Sequence, residues 1–327
     1  MGRSSTCAPS PGKESKRLAE TLPSLEIQLG PLRLKNPVLA ASGPFGYGEE
    51  WAGLADWSEL GGLVLKTITA KPWRGNPPRH RAVETPAGML NSIGLENVGV
   101  EKFLAEKLPA LRQFDTAIVA SIGGETVEEF VEVARRLEGA PIAALEVNIS
   151  CPNVTRGGMA FGASPQAAAE VTAAVKRASS RPVFPKLTPN VTDIAAVARA
   201  CEEAGADAIA LINTFSGMAI DIRSRRPLLG ANFGGMSGPA IKPAALLRVY
   251  QVAQAVKVPV IGMGGIMRAE DALEFIIAGA SAIEVGTALF VDPLAAHKVL
   301  QGISAYLVEQ QLSGIQELIG SLQLNPA

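Results

Sequence analysis

The sequence predicts a (β/α)8 barrel, an α/β fold in which eight parallel strands alternate with surrounding helices. Eight short apolar runs rich in β-branched residues recur along the chain, and segments with helical periodicity lie between them. The length of 327 residues suits such a TIM barrel with insertions. A doubly wound open sheet is the structural alternative, but it usually needs fewer strands and has no eighth β/α unit.

The strands are predicted from apolar runs that stop at glycine, proline or polar residues. Runs of this length and composition are typical of the buried strands of a parallel sheet. The eight runs lie at 36–43, 62–67, 116–124, 143–150, 183–190, 207–214, 258–266 and 281–290.

The helices are predicted from apolar residues that recur three and four positions apart, most clearly at 126–139 and 164–180. Their starts carry residues that accept hydrogen bonds from free backbone N–H groups, and their ends carry glycine. The start signals are Ser164 followed by Pro165, and Asp193; the end signals are Gly139, Gly205 and Gly279.

Composition and charge exclude several classes of function. The net charge of −1 does not suit a nucleic-acid-binding surface. No apolar stretch reaches the roughly 18–20 residues that cross a bilayer, and residues 1–24 lack the apolar middle of a secretion signal. We expect a flexible tail at 1–24, a single domain at 25–327, no membrane contact and a cytoplasmic location.

The three cysteines and two histidines argue against disulfides and metals. An odd, small cysteine count does not suggest a disulfide framework. Three scattered cysteines cannot hold a four-cysteine iron–sulfur cluster, and two histidines make a zinc site improbable. We therefore predict no metal in this chain. Cys7 lies in the tail, and Cys201 lies on a predicted helix as an ordinary buried thiol.

Polar residues and glycines gather where the predicted strands end, which is where barrels of this kind place their chemistry. Three connections that follow strands are too long for simple turns: 70–97, 153–164 and 215–240. All three belong to the same face of the barrel. We expect them to form the walls and lids of a pocket.

One glycine pair and one glycine-threonine pair suggest a phosphate site. Gly264-Gly265 follows the seventh strand, and Gly286-Thr287 takes the equivalent place one unit later. Glycines there allow backbone N–H groups to approach an anion, and barrel phosphate sites often follow strands seven and eight. Tight turns alone would also explain them. Met267 stands where a dinucleotide fingerprint needs a third glycine, so that motif is absent.

Lys66 and Lys186 interrupt apolar strand ends. A buried lysine is costly unless it meets a negative partner, whereas a surface lysine merely extends into water. We expect a delocalised anion as the partner, such as a reduced flavin ring or a substrate carboxylate.

The segment NISCPN places Cys151 between Asn148 and Asn153, directly after the fourth strand. Asn91 and Asn213 add two further amides, which together can read a flat, amide-rich ligand. Singly, each asparagine is more often a turn residue. A thiol at the start of a glycine-rich loop is a candidate to take a proton from carbon while a hydride leaves the neighbouring carbon.

These motifs together resemble the dihydroorotate dehydrogenases, flavoprotein oxidoreductases of pyrimidine biosynthesis. The likeness covers residues 25–315 and rests on the order of the segments, since each segment alone is weak evidence. In chain order they are ASGPFGYG, LKTIT, ETPAGMLNSIGLEN, NISCPNV, KLTPNVTDI, INT, GGMSGPAIKP, IGMGGI and VGTALF.

The resemblance implies a TIM barrel with one FMN at the C-terminal face of the strands and Cys151 as the base that takes a proton from C5 of dihydroorotate. FMN N5 then accepts the hydride from C6. The implied substrate contacts are Lys66, Asn91, Ser92, Ile93, Gly94, Leu95, Asn148, Asn153, Asn213 and Thr214. The implied FMN contacts are Ser42, Lys66, Thr67, Ser121, Asn148, Lys186, Ile212, Gly238, Gly264, Gly265, Gly286 and Thr287.

One position departs from the family pattern. Relatives often carry asparagine where this chain has Ser121, so we expect that side chain to reach the flavin only through water.

The resemblance also implies a subclass. Membrane-bound relatives use serine as the base, whereas this chain has cysteine, as in the class 1 enzymes. NVTRGG and GGMSGPAIKP are most similar to the class 1B catalytic subunit. That class implies a homodimer in a heterotetramer with an electron-transfer subunit that carries FAD and a [2Fe–2S] cluster and passes electrons to NAD+. A fumarate-dependent class 1A enzyme, a dihydropyrimidine dehydrogenase module acting on uracil or thymine, and a non-catalytic flavin sensor are the alternatives.

Overall fold

The eight predicted strands form one closed parallel barrel in a computed structural model that describes residues 22–77, 80–150 and 161–326. The predicted fold class is confirmed. Each strand pairs in parallel with its sequence neighbours, and the last strand pairs with the first. The barrel strands are β1 (Val38–Ala40), β2 (Gly62–Val64), β3 (Ala117–Ile122), β4 (Ala144–Asn148), β5 (Val183–Leu187), β6 (Ile209–Leu211), β7 (Val260–Met263) and β8 (Ala282–Val285).

Helices begin at the residues that the sequence predicts and end shortly before the predicted glycines. The hydroxyl oxygens of Thr126 and Ser164 each accept a hydrogen bond from a first-turn N–H group, and Asp193 does the same through its carboxylate. The helices are α1 (Ser42–Phe45), α2 (Gly99–Lys102), α3 (Leu108–Leu111), α4 (Val127–Arg136), α5 (Pro165–Ala178), α6 (Ile194–Glu203), α7 (Lys242–Ala253), α8 (Ala269–Ile277), α9 (Ala288–Val291) and α10 (Ala295–Glu309).

Short elements fill the remaining connections of the described chain. A hairpin joins Ile27–Leu29 to Leu32–Leu34, and a second short pair joins Ile220–Asp221 to Arg226–Pro227. A π-helix at Phe103–Lys107 links α2 to α3. The 3-10 turns lie at Glu49–Trp51, Trp57–Glu59, Phe161–Ala163, Pro239–Ile241 and Ile315–Glu317.

Two of the three long connections meet in a four-stranded antiparallel sheet that the sequence analysis does not predict. Its strands lie in the order Phe215–Gly217, Gly234–Ser237, Gly88–Asn91 and Ala82–Thr85. Both connections follow barrel strands, so this sheet covers the carboxyl-terminal mouth of the barrel. Most of the third connection lies outside the described residues.

The backbones of these two connections approach each other so closely that glycine is required at the contact. Gly88 has φ +145°, and a Cβ there would stand 2.0 Å from the carbonyl oxygen of Ser237. Gly238 has φ +95°, and a Cβ there would stand 2.5 Å from the Gly88 Cα atom. Because the two backbones touch without side chains between them, the sheet can close against the mouth of the barrel.

Backbone pairing of the described chain begins at Ser24, whose N–H group donates to the carbonyl oxygen of Ser313 at 2.9 Å. The division into a tail at 1–24 and a domain at 25–327 stays a prediction, since residues 1–21 are outside the described part. None of the described helices has the length and apolar character that crossing a membrane requires.

Candidate active site

A cavity of about 550 Å³ opens at the carboxyl ends of the barrel strands. The four-stranded sheet forms one of its walls through Met89, Asn91 and Gly235. Most of the predicted site residues line this cavity, although they come from seven strands and two long connections. They are Ser42, Lys66, Thr67, Asn91, Ile93, Gly94, Leu95, Asn148, Lys186, Ile212, Asn213, Thr214, Gly238, Gly264, Gly265, Gly286 and Thr287.

Two predicted residues lie beside the cavity rather than in its lining. Ser121 is fully buried, and its hydroxyl is 3.0 Å from the hydroxyl of Thr67. Ser92 is also buried, and its carbonyl oxygen accepts a hydrogen bond from the Asn76 amide at 2.9 Å. The Ser121 side chain therefore supports a lining residue, whereas the buried Ser92 hydroxyl has no hydrogen-bond partner among the described residues. Cys151 and Asn153 lie outside the described residues, so their roles stay predictions.

The end of the cavity beside β7 and β8 carries backbone N–H groups and hydroxyls that suit an anion. Within the described residues, the backbone N–H groups of Gly265 and Thr287 donate to no other group of the chain. The Thr287 hydroxyl donates to the hydroxyl of Ser237 at 2.9 Å, and both residues line the cavity. Free N–H groups beside hydroxyls are the donors that a phosphate needs.

Gly265 shows why this end of the cavity needs glycine. It has φ +82°, and a Cβ there would stand 2.9 Å from the Gly238 carbonyl oxygen and from the backbone nitrogen of Lys242. The backbone at Gly265 therefore lines the cavity without a side chain, which is the arrangement that close approach of an anion requires.

Near the carboxyl end of β4, amides and hydroxyls form one hydrogen-bonded chain. Asn213 donates through Nδ2 to the hydroxyl of Ser150 at 2.6 Å, and that hydroxyl donates to Asn148 Oδ1 at 2.9 Å. Asn148 Nδ2 in turn donates to the Thr67 hydroxyl at 3.0 Å. The chain fixes the orientation of each amide plane along the cavity wall. A flat polar ligand at this wall would meet hydrogen-bond donors and acceptors that are already oriented.

The two predicted lysines have different surroundings. Lys66 lines the cavity and forms no hydrogen bond or ion pair through its ammonium group with any described residue. Lys186 lies buried, with its Nζ atom 3.2 Å from Glu146 Oε2, 3.1 Å from Glu284 Oε2 and 3.4 Å from the Ser42 hydroxyl. The expectation that Lys186 needs a negative partner is met by the protein itself, through two carboxyl groups.

We call Lys186, Glu146 and Glu284 the buried triad. Both carboxyl side chains are almost inaccessible, at 2% exposed for Glu146 and 1% for Glu284. One ammonium group facing two carboxylates would leave a net negative charge inside the barrel, which is costly. A proton on one carboxyl group makes the triad neutral.

The protonation states follow from these contacts. Burial, together with the nearby Glu146 carboxylate, raises the pKa of Glu284 to about 8 against the opposing effect of Lys186. Burial works to lower the pKa of Lys186, but the two carboxyl groups outweigh it and the pKa is raised. Near neutral pH, therefore, Lys186 is a cation and Glu284 carries a proton.

Glu284→Gln is expected to remove a pH dependence of stability in the flavin-free protein. The folded pKa of about 8 lies above the ordinary glutamate value. Between roughly pH 5 and pH 8 the folded state therefore holds a proton that the unfolded state has released, and the free energy of unfolding falls as pH rises through this window. Glutamine has no proton to lose. Urea unfolding at several pH values checks this, and equal declines in both proteins would contradict it.

Sequence reasoning missed Glu146, Glu284, Ser150 and Ser237. A signal existed for the two glutamates, because each is the single charged residue in an otherwise apolar strand, ALEVN and AIEV. Glu146 lies on β4 and Glu284 on β8, and both contact Lys186, which extends from β5 into the barrel interior. No comparable signal marks Ser150 or Ser237, since serine is common in turns.

Cys201 behaves as the sequence analysis expects. It lies fully buried on α6, and burial raises the pKa of its thiol to about 11. Such a thiol stays protonated and unreactive at neutral pH.

Comparison with known proteins identifies the family. The sequence model of the family described as "Dihydroorotate dehydrogenase" matches residues 24–307. This range includes every barrel strand and nearly all of α10.

Curated relatives match over almost their full length. The chain is 52% identical to a protein of Geotalea daltonii over 303 residues, which is 92% of this chain and 99% of that protein. It is 54% identical to a protein of Trichlorobacter lovleyi and 53% identical to one of Desulforamulus reducens, each over 302 residues, with the same shares covered. All three relatives are named dihydroorotate dehydrogenase B (NAD(+)), catalytic subunit.

Proposed function

The chain belongs to the dihydroorotate dehydrogenase family, and we propose that it oxidises (S)-dihydroorotate to orotate in de novo pyrimidine (UMP) biosynthesis. The names of its relatives favour the class 1B catalytic subunit, in which electrons reach NAD+. One observation carries the proposal: a single cavity combines an anion-binding end, a buried lysine and a set of oriented amides.

The residues present fit an FMN, one per chain. The bare backbone at Gly265 and the hydroxyls of Thr287 and Ser237 suit the phosphate group. Lys186 and the neighbouring Ser42 line the same cavity, and we assign the charge of Lys186 to the flavin ring. The volume of about 550 Å³ lies within the range of cofactor pockets. Bound FMN supplies a hydride acceptor.

The chain's own residues hold the substrate and move a proton. We assign Asn91, Asn148 and Asn213 to the amide edges of the pyrimidine ring and Lys66 to its carboxylate, because Lys66 brings to the cavity a cation that pairs with none of the described residues. Cys151, which directly follows Ser150 in the chain, takes the proton from C5. Asn153 and the backbone from Ser92 to Leu95 complete the substrate contacts.

A partner completes electron transfer. A catalytic subunit implies an electron-transfer subunit, and we propose one that carries FAD and a [2Fe–2S] cluster, joined to a homodimer of this chain in a heterotetramer. The low cysteine count supports a cytoplasmic location, where thiols stay reduced.

Anaerobic addition of dihydroorotate to the FMN-loaded protein tests the proposed function. We expect dihydroorotate to bleach the flavin absorbance, and dihydrouracil, which lacks the carboxylate for Lys66, to leave it unchanged. Turnover with NAD+ is expected only when the electron-transfer subunit is added, whereas turnover with fumarate alone would indicate class 1A. Bound FMN with no bleaching by dihydroorotate would contradict the proposal.

Ser237→Ala is expected to weaken FMN binding about tenfold or more, because a hydrogen bond to a charged phosphate contributes about 1.5–3 kcal/mol. The control is Ser216→Ala, since Ser216 lies exposed on the neighbouring strand of the same sheet and does not line the cavity. Fluorescence titration of the flavin-free proteins with FMN gives both dissociation constants. Equal constants would remove Ser237 from the phosphate site.

A further inference from the structure

The buried triad has an unusual feature for a structural ion pair: it opens onto the cavity. Lys186 and Glu284 both line the cavity, while Glu146 lies behind them. The Oε1 atom of Glu146 is buried and has no hydrogen-bond partner among the described residues. A buried oxygen without a partner is expensive unless a neighbouring group brings it a proton.

The carboxyl group of Glu284 approaches the same ammonium group as Glu146, although it makes no hydrogen bond to Glu146 Oε1. Its Oε2 atom and that of Glu146 both lie close to one ammonium group, at 3.1 Å and 3.2 Å. Two like charges that share one site do not ionise together, so the pair holds one proton between them. The triad is therefore neutral with that proton and negative without it.

We propose that, at alkaline pH where Glu284 is ionised beforehand, Glu284 gains a proton when the bound flavin is reduced, so that the triad compensates the negative charge that reduction places at the cavity wall. The inference rests on the proposed function, which supplies the flavin. The step is a simple protonation: a carboxylate and a proton from water give a carboxylic acid. The two electrons belong to the hydride taken from dihydroorotate, so no further oxidant or reductant is needed.

The pH range in which Glu284 takes up this proton follows from its pKa before the flavin is reduced. Without the added negative charge, Glu284 has a pKa of about 8. A new negative charge nearby raises the pKa further, because it disfavours the carboxylate. Just above pH 8, Glu284 is therefore ionised before reduction and protonated after it.

Few other groups face Glu284. Besides Glu146 and Lys186, the flanking strands β1 and β7 carry no titratable side chain. On α8, Asp271 and Glu274 both pair with Lys242, and Glu270 pairs with Arg268.

On α10, His297 is within hydrogen-bonding distance of the Asp56 carbonyl oxygen at 2.9 Å. Lys66, Glu50 and Glu96 line the same cavity. Cys151 lies outside the described residues, and an unperturbed cysteine thiol titrates in a similar pH range. The test therefore removes Cys151.

The test measures the midpoint potential of bound FMN between pH 6 and pH 10, with chemical reduction against reference dyes. Both proteins carry Cys151→Ala, and one also carries Glu284→Gln. We expect proton uptake per two electrons in the Glu284 protein to rise up to twofold just above pH 8, with a correspondingly steeper slope. The glutamine protein should keep one slope throughout. Equal slopes in the two proteins would overturn the inference.

A second variant covers the case in which Glu284→Gln does not fold. Glu146→Gln removes the neighbouring carboxylate, so the pKa of Glu284 falls and the break in slope should move to lower pH. A break that stays in place would overturn the inference. A packing role for the triad alone would leave this pH profile unchanged.

The flavin-free protein gives an independent measurement. Its infrared spectrum should show a carboxylic acid band at pH 6 that disappears by pH 10, and Glu284→Gln should lack that band. An unchanged band in the variant would contradict the assignment to Glu284. Because neither measurement uses dihydroorotate, failure of the inference is distinguishable from failure of the proposed reaction.

Discussion

Cys151→Ala is expected to lower kcat for dihydroorotate oxidation by about 10²–10⁴-fold, the usual contribution of a positioned general base. FMN should remain bound, since the phosphate end and Lys186 lie on other strands. Hydride transfer alone would leave a carbocation at C6, so loss of the base blocks the reaction even when substrate and flavin are in place. Stopped-flow measurement of flavin bleaching gives the rate.

The described neighbours of Cys151 support this expectation. Ser150, the preceding residue, is hydrogen-bonded to both Asn148 and Asn213, which line the cavity. The chain therefore leaves β4 beside the asparagines that we assign to the substrate, rather than at the end of the cavity beside β7 and β8.

Two further variants sharpen the test of Cys151. Cys151→Ser should be slow and most active at high pH, because a hydroxyl is a far weaker acid than a thiol. Cys201→Ala is the matched control, since that thiol lies buried on α6 and does not line the cavity. It should keep the wild-type rate per bound flavin. Wild-type turnover by Cys151→Ala at neutral pH would contradict the role of Cys151 as the base.

The barrel was predictable because its signals are local. Each strand is a short apolar run, and caps such as Ser164 and Asp193 depend on contacts within one helical turn. The sheet across the mouth was not predictable by this route. It pairs Gly235 with Asn91, residues far apart in the chain, and its short strands have no strong alternation.

Part of the site was predictable because its signals, like those of the barrel strands, are local. Residues such as Asn148 and Gly264 stand at strand ends, where the fold itself indicates function. The partners of Lys186 were not predicted, because the barrel register decides which side chains meet inside it. Only closure of the barrel brings Glu146 and Glu284 to the same ammonium group.

Lys186→Ala is expected to have two separable effects, on stability and on the flavin. The first arises because two buried carboxyl groups lose their cation. Breaking a buried ion pair from one side costs about 3–5 kcal/mol of the free energy of unfolding. The loss should be largest above pH 8 and should shrink as pH falls, because protonation neutralises the carboxyl groups.

Lys242→Ala is the matched control for this substitution. Lys242 also contacts two carboxylates, at 2.7 Å from Asp271 and 2.8 Å from Glu274, but its side chain is 22% exposed and does not line the cavity. More exposed pairs contribute about 0–1 kcal/mol. We expect a small loss of stability and normal flavin binding. A loss equal to that of Lys186→Ala would contradict the special cost assigned to the buried triad.

The second effect of Lys186→Ala is isolated by neutralising the triad completely. In the triple variant Lys186→Met, Glu146→Gln and Glu284→Gln, no buried charge remains uncompensated, so stability should recover much of its loss. Flavin reduction should not recover, because no cation faces the negative charge that reduction creates at the cavity wall. If the triple variant regains both stability and the wild-type rate of flavin reduction, Lys186 only balances the two glutamates. If it regains stability alone, the ammonium group of Lys186 acts directly on the flavin.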